Sequence, residues 1–576
     1  MKKTGAWLVR FALEQIGVRY TFGIPGVHTT EIYDELNKSE SIQPILVTHE
    51  GGGAFMADAI SRTSDQIGTL LIVPAAGVTH AASGIGEAFL DGIPMLVISG
   101  GIHTESGKTY QLHEMDQHAL LAPITKKTFK VEKHEQIITA IYEAYQIANH
   151  GEPGPVFVEV PVNLQLFPGE VSDTPHFVAA LEEERLDHAA IKEAAQRLYD
   201  ASSAGLFLGW GAVDASDQAM RIAEFLGAPV ATTLQGLSSF PANHPLHTGM
   251  GIGPAAVPAA ENAFKKIDCL LAVGNRFGEI ATASYGVNPP QNMIHIDINK
   301  KVFNANYPAA ICIEGDAKAV LAELFTYLKA LGAPKPDNPA LMTAIKKDKK
   351  AYQDEWFRHD SNDRVNPARF FAELRKQLDD DAVVVVDDGN HTFLAAELMP
   401  INSARGFISP TDFNCMGYCT PAVAAAKLVN PDKQVVGIIG DGAFLMTCME
   451  TLTAVSQELG GVFFVFNDGE LSQISQAQEI PYNRKTCTVL HDFKIKGIAL
   501  ATGCEFIQID DNTSCADGIK RALEFATQRK PVIVDVNIDY SKRTRFTKGI
   551  VKTNLERFTV SNKARFIGRA LLRKVL

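Results

Sequence analysis

Apolar residues in this chain gather into short unbroken runs, and the stretches between them repeat their apolar positions every three to four residues. Unbroken runs suit strands buried on both faces of a parallel sheet, whereas the wider spacing is that of a helix with one buried face. Strands are predicted at 69–73, 95–99, 206–208, 269–273, 293–298, 383–386, 435–439 and 462–466, and helices at 81–90 and 446–459. After Met1-Lys2-Lys3 comes an amphipathic first helix with Leu8, Phe11, Ala12 and Ile16 on one side. Arg10 and Glu14 interrupt that segment, which therefore does not read as a secretory signal.

Composition divides this alternation into blocks. The first, residues 1–167, closes at a Pro- and acid-containing linker, 168–185. The second, 186–335, ends at Ala333-Pro334-Lys335-Pro336-Asp337, followed by a charged helical stretch through Asp354. The third, 366–540, is followed by a basic tail, 541–576. The expected fold class is α/β: three doubly wound parallel-sheet domains plus the tail, with no repeat of sequence between them.

Charge is distributed unevenly. The tail holds eleven Lys or Arg and one acid, a net of +10, which leaves −22 on the rest. No groove-reading motif accompanies it, so nucleic acid is not an expected partner. Arg565, Arg569 and Arg573 share one helical face, with Phe566, Ile567, Ala570, Leu571 and Val575 largely on the other. Such a helix can lie on an anionic membrane surface, a peripheral contact at its inner face. The alternative is that the tail folds over the acidic body, which the opposed charges favour. No run approaches the roughly eighteen apolar residues of a membrane span. Eight cysteines scattered from Cys269 to Cys515 form no disulfide framework, and the chain reads as cytoplasmic and reducing.

The most informative stretch is 440–469. An apolar strand ends in Gly440-Asp441-Gly442; a helical segment and a second apolar strand follow, ending in Asn467-Asp468-Gly469. Asp441 and Asp468 then project from neighbouring strand ends, where open α/β sheets bind ligands. A lone Gly-Asp-Gly is usually a tight turn; the whole pattern is more specific. It resembles the diphosphate and metal fingerprint of thiamine diphosphate-dependent enzymes, the family of acetolactate synthase, pyruvate oxidase and benzaldehyde lyase. Phe22-Gly23-Ile24-Pro25-Gly26, His49-Glu50, Gly154 to Pro161, Leu234-Gln235-Gly236, Gly274-Asn275-Arg276-Phe277 and Asn414-Cys415-Met416-Gly417 resemble further segments of that family, in order along the chain.

The resemblance implies a pyrimidine-binding domain (1–167), a central nucleotide-binding-like domain (186–335) and a diphosphate- and Mg2+-binding domain (366–540). Glu50 would activate thiamine diphosphate through its aminopyrimidine ring; the residue can equally be an ordinary helix-start glutamate. Gly389, Asn390, His391, Met416, Asp441, Gly442, Ala443, Asn467, Asp468 and Glu470 would bind the cofactor. Asp441, Asp468 and the position of Glu470, with a backbone carbonyl just past Asp468, would hold the metal. Met416 would prop the bent cofactor, or be simply a core methionine. His28 and His113 match histidines or a glutamine that handle protons in relatives; packing histidines would look the same. Because the family's cofactor spans two chains, a homodimer or homotetramer is implied.

Three departures stand out. Asn467-Asp468 replaces Asn-Asn. The segment after it lacks the tryptophan of biosynthetic acetolactate synthases. Pro74 to His80 replaces a Gly-Pro-Gly loop, making His80 either an active-site group or a polar loop residue. The leading expectation is a lyase or transferase: a 2-oxo acid decarboxylase and carboligase joining the acyl unit to an aldehyde or ketone acceptor as an acyloin. Alternatives are a flavin-dependent 2-oxo acid oxidase of the pyruvate oxidase type and a catalytically inactive cofactor-binding protein. Gly278, where flavin-binding relatives carry aspartate, weighs against FAD; retention of Glu50, Asp441 and Asp468 weighs against inactivity.

Overall fold

The computed structural model describes residues 1–179, 186–336 and 338–575. Residues 180–185 of the expected linker, Asp337 and Leu576 lie outside that description. The described residues form three six-stranded parallel sheets, each covered by helices, and a small antiparallel pair, Lys2–Thr4 with Pro168–Glu170.

The first sheet runs in space Gln43–Leu46, Tyr20–Gly23, Gly68–Ile72, Met95–Gly101, Pro155–Pro161, Lys127–Lys130. The third runs Phe407–Ile408, Val383–Val386, Val435–Gly440, Val462–Asn467, Val532–Asn537, Glu505–Ile509. Numbered along the chain, both orders are 2-1-3-4-6-5. The central sheet runs His247–Met250, Val230–Thr232, Ala204–Leu208, Cys269–Val273, Asn292–Asp297, Ile311–Glu314, an order of 3-2-1-4-5-6. That is the dinucleotide-fold order, whose crevice opens where the order reverses. The expected α/β class with three doubly wound sheets is therefore what the chain forms.

Central strands such as Cys269–Val273 and Val462–Asn467 are buried along almost their whole length, which is why unbroken apolar runs marked them. Edge strands such as Gln43–Leu46 and Lys127–Lys130 are exposed at both ends and only partly covered between, and they escaped that signal. The helix expected at 446–459 is instead two, Asp441–Thr447 and Glu450–Ser456. The first starts at Asp441 itself, whose carboxylate accepts the Gly442 N–H at 2.7 Å. In the first helix, Gly5–Gln15, the buried side is Leu8, Val9, Ala12 and Leu13, while Phe11 is half-buried and stacks on Trp7.

The first and third domains meet along helices Glu50–Thr63 and Cys419–Val429, and every residue of the former is buried. At their junction the buried Arg62 pairs with Asp58 at 2.6 Å and Asp91 at 2.9 Å, and the Tyr418 hydroxyl donates to Asp58 at 2.7 Å. A buried charge is tolerated only when paired in this way. Arg405 joins all three domains: it grips Asp214 through two 2.7 Å bonds and donates to the Ser61 and Ser64 carbonyls at 3.0 Å.

The tail forms helices Arg545–Arg557 and Val560–Val575, docked on the body. Phe546 stacks on Phe393 at 4.9 Å, and Arg557 donates to the Ser284 carbonyl at 2.9 Å. The last helix packs on helix Ser472–Tyr482, where Arg573 donates to the Pro481 carbonyl at 2.9 Å. Ala570 is buried and Phe566 half-buried, but Leu571 is exposed, so the buried stripe is narrower than the pattern implied. The side chains of Ile567 and Val575 lie outside the description. Among the described residues no helix is long and apolar enough to cross a membrane, and all eight cysteines are unbridged.

Candidate active site

Each outer sheet presents polar residues at its point of strand-order reversal. In the first domain, the chain leaving Tyr20–Gly23 carries His28, and the chain leaving Gly68–Ile72 carries His80 on helix Ala76–Asp91. Glu50 opens helix Glu50–Thr63, whose cap is the His49 ring accepting the Gly51 N–H at 3.0 Å. The Glu50 carboxylate is buried and lies 2.9 Å from His80 Nδ1, and the His49 and His80 rings stack at 4.6 Å. His80 is therefore a partner of Glu50, not an isolated loop residue. His49, Glu50 and His80 bring three potential ligand atoms within 4.8 Å of one another.

His28 and His113 form a second pair, Nδ1 to Nδ1 at 3.2 Å, so one of the facing nitrogens carries a proton and the other does not. Burial, reinforced by His113, lowers the pKa of His28. His113 has φ +66°, a left-handed backbone that a non-glycine residue adopts only when its surroundings impose it. Nearby, Gln117 donates to Glu159 at 2.8 Å and to the Gly100 carbonyl at 3.2 Å. Gln117 and Glu159 lie in segments the sequence reading singled out but were given no role of their own there; the fold brings them together.

In the third domain, Asp441 accepts the N–H groups of Gly442 and Gly469 at 2.7 Å and of Asp468 at 3.2 Å, tying the two strand ends together. Gly469 has φ +77°, which suits glycine at this turn. Asp468 bonds Ser472 through Oδ2, and its Oδ1 is buried without a partner among the described residues. Burial pushes the Asp468 carboxyl up to about 7, with Asp441 and Glu470 adding to the rise. The Glu470 carboxylate is held by Lys485 at 2.6 Å and Ser475 at 2.6 Å. Asn467 donates to Asp535 at 3.1 Å. The Gly442 N–H is engaged by Asp441, so the phosphate contact expected of it is not preformed.

Across this cleft, Gly389 (φ +150°) precedes helix Asn390–Leu398, and a Cβ there would meet the His391 ring at 2.5 Å. His391 is buried, burial pushes its pKa down to about 3, and its Nε2 has no partner among the described residues. Asp387, missed by sequence reading, is buried and accepts the Gly417 and Cys419 N–H groups at 2.9 and 2.7 Å, which fixes the turn directly after the half-buried Met416. The donor set suits a diphosphate with a divalent cation: an unpartnered carboxylate oxygen on Asp468 and an unpartnered ring nitrogen on His391 at one switch point.

The central crevice, about 290 Å³, lies beyond the carboxyl ends of the paired strands Ala204–Leu208 and Cys269–Val273 and includes Trp210, Gly211, Gly274 and Asp297. Both arginines in its wall are ion-paired, Arg276 with Asp412 at 2.8 Å and Arg405 with Asp214 at 2.7 Å. Asp91, Glu152 and Asp297 line it too. With its cations already paired, this crevice offers a flavin diphosphate poor electrostatic support, so the residues present do not fit FAD well.

Family models for the thiamine pyrophosphate enzyme match the N-terminal TPP binding domain over residues 2–120, the central domain over 191–324 and the C-terminal TPP binding domain over 387–536. The chain belongs to the thiamine pyrophosphate enzyme family. It is a thiamine diphosphate-dependent enzyme that acts on C–C bonds. It is 30% identical over 553 residues to the acetolactate synthase large subunit of Haemophilus influenzae, covering 94% of this chain and 96% of that one. The acetolactate synthase isozyme 1 large subunit of Escherichia coli is 27% identical over 544 residues, 94% and 95% of the two chains. A probable acetolactate synthase large subunit of Methanocaldococcus jannaschii is 30% identical over 560 residues, 93% and 92%.

Proposed function

We propose that this enzyme is a Mg2+-dependent 2-oxo acid decarboxylase and carboligase of the acetolactate synthase kind, forming acyloin-type products in the cytoplasm. The observation that carries the metal and cofactor assignment is the pairing of unpartnered atoms, Asp468 Oδ1 and His391 Nε2, at one cleft. Asp441, Asp468 and the Glu470 carbonyl would hold Mg2+; Gly389, Asn390, His391, Ala443 and Asn467 would surround the diphosphate, and Met416 would support the bent cofactor. Thiamine diphosphate, when bound there, would supply a carbanion equivalent for carbonyl carbon and an electron sink for decarboxylation.

Glu50 holds the proton exchanged with the aminopyrimidine, and His80, against the same carboxylate, orients it. His28 and His113, which share a proton between facing nitrogens, give and take protons at the substrate oxygen. The donor is a 2-oxo acid, pyruvate first, as the names of the relatives suggest; the acceptor is a second oxo acid or an aldehyde.

A second copy of the chain completes the site. Leu445 and Met446 are exposed on helix Asp441–Thr447, Leu452 on helix Glu450–Ser456 and Met449 in the turn that joins them. Such a patch beside a cofactor cleft supports coverage by a partner subunit in a dimer or tetramer. The test is incubation of the Mg2+- and cofactor-loaded protein with 2-oxo acids, alone and with aldehydes. CO2 and acyloin release support the reading; peroxide formation would favour the oxidase instead.

A further inference from the structure

Helix Ala76–Asp91 of the first domain lays Ser83, Gly86, Glu87 and Asp91 on residues 411–415 of the third, the segment that leads into Met416. These four positions are three and four residues apart and so share one side of the helix. Glu87 Oε1 accepts the Thr411 N–H at 3.2 Å, and Oε2 accepts the Cys415 N–H at 3.1 Å. Asp91 accepts the same Thr411 N–H at 3.2 Å and the Asp412 N–H at 3.0 Å. Cys415 Sγ donates to the Ser83 carbonyl at 3.6 Å. The fit is close, since a Cβ on Gly86 would come within 2.5 Å of the Phe413 ring.

A carboxyl is a costly way to fill a buried junction, and two side by side cost more. Arg62 meets Asp91 at 2.9 Å but stands 3.9 Å from Glu87. Burial, reinforced by Asp91, raises the Glu87 carboxyl far above its ordinary value, so at neutral pH it holds a proton and still accepts N–H groups. What it does that an apolar side chain could not is fix backbone. The chain reverses here through left-handed residues, Asn414 at φ +67° and Gly417 at φ +87°. Beyond Met416, Asp387 accepts the Gly417 N–H at 2.9 Å. The peptide N–H groups of residues 415 and 417 are thus each tied to a buried carboxyl, one from each domain, with Met416 between them.

We infer that Glu87 is a positioning residue for Met416: it fixes the Cys415 peptide from the first domain and so sets where the Met416 side chain stands in the cleft, a role that rests on the reading of Met416 as the support of the bent cofactor. Asp387 holds the turn after Met416 and Glu87 the approach to it, so the prop is in place before the cofactor arrives.

Two variants separate the acceptor from the space it fills. Glu87→Gln keeps a carbonyl for the Cys415 N–H, and Glu87→Met has a similar length without a strong acceptor. In the full-length enzyme loaded with Mg2+ and thiamine diphosphate, Glu87→Met should lower turnover of a saturating 2-oxo acid about ten- to a hundredfold, the loss expected when a supporting group is displaced by about 1 Å. Glu87→Gln should retain most of the turnover. In a Met416→Ala background Glu87→Met should cost little more, because the residue it positions is gone; a merely structural role would give additive losses. Hydrogen exchange of the cofactor-free enzyme provides a reading independent of turnover. The 411–417 segment should exchange slowly in the parent and in Glu87→Gln, and at least about tenfold faster in Glu87→Met. Additive losses, equal turnover in Glu87→Met and Glu87→Gln, or fast exchange of 411–417 in the parent would each overturn the proposal, the last even if Glu87→Met does not fold. Full turnover in Met416→Ala would overturn the reading of Met416 itself, and the proposal with it.

Discussion

Glu450 of the third domain accepts the backbone N–H of His49 in the first at 3.0 Å. The same carboxylate accepts the Thr48 N–H at 3.1 Å and the Thr453 hydroxyl at 2.7 Å. It thus caps, from another domain, the turn that delivers Glu50. Gly52 lies against it, since a Cβ there would come within 2.3 Å of Glu450 Oε1. Glu450→Gln turns one acceptor into a donor facing N–H groups. It should cost about 1.5–3 kcal/mol and lower turnover together with the thermal midpoint. A Glu450→Gln enzyme with unchanged melting and turnover would show that the contact does not position Glu50.

Glu50 and Asp441 should fail in different ways. Glu50→Gln should keep thiamine diphosphate bound through gel filtration and lose about 10²–10⁴-fold in turnover. Asp441→Ala should lose the cofactor itself, and a chelator should release it from the unaltered enzyme. Near-normal turnover in Glu50→Gln, or cofactor retained after chelation, would contradict these roles.

Asp297 in the central crevice has a pKa raised to about 6, chiefly by burial. Its folded-state value lies above the ordinary one, so the carboxyl costs no stability below the unfolded value near 3.8. Stability falls as pH rises from there through about 6, and the full penalty persists above. Asp297→Asn removes it, so the variant should melt higher than the parent at pH 7.5 and equally at pH 3.5, a difference of up to about 3 kcal/mol. Equal melting at both pH values would show that Asp297 is better solvated than its burial suggests.

The same crevice bears on flavin. With Arg276 and Arg405 both ion-paired, the purified enzyme should be colourless. A stoichiometric flavin absorbance band would show that those pairs open to admit the diphosphate.

The docked tail favours a lid over a membrane anchor. A chain ending at Tyr540 should lose activity, because the last helix packs on helix Ser472–Tyr482 directly after the Asp468 turn. The full-length enzyme should not float with anionic liposomes. Tail-dependent, salt-sensitive flotation would favour the membrane instead.

The sequence alone determined the α/β class, the three-sheet organisation and the residues of the Asp441–Asp468 turn. Those features are local: a strand buried on both faces must be apolar throughout, and a tight turn beside a ligand selects Gly and Asp within a few positions. Tertiary structure decided what lies far apart in the chain. The Glu450 cap on His49, the Asp387 clasp beside Met416 and the pairing of His28 with His113 join residues that no periodicity links. It also decided that Glu470 turns its carboxylate to Lys485, since a charged side chain takes whichever partner the fold brings within reach. The tail's place was undetermined for the same reason. An amphipathic pattern says that one face seeks cover, and only the packed molecule says what covers it.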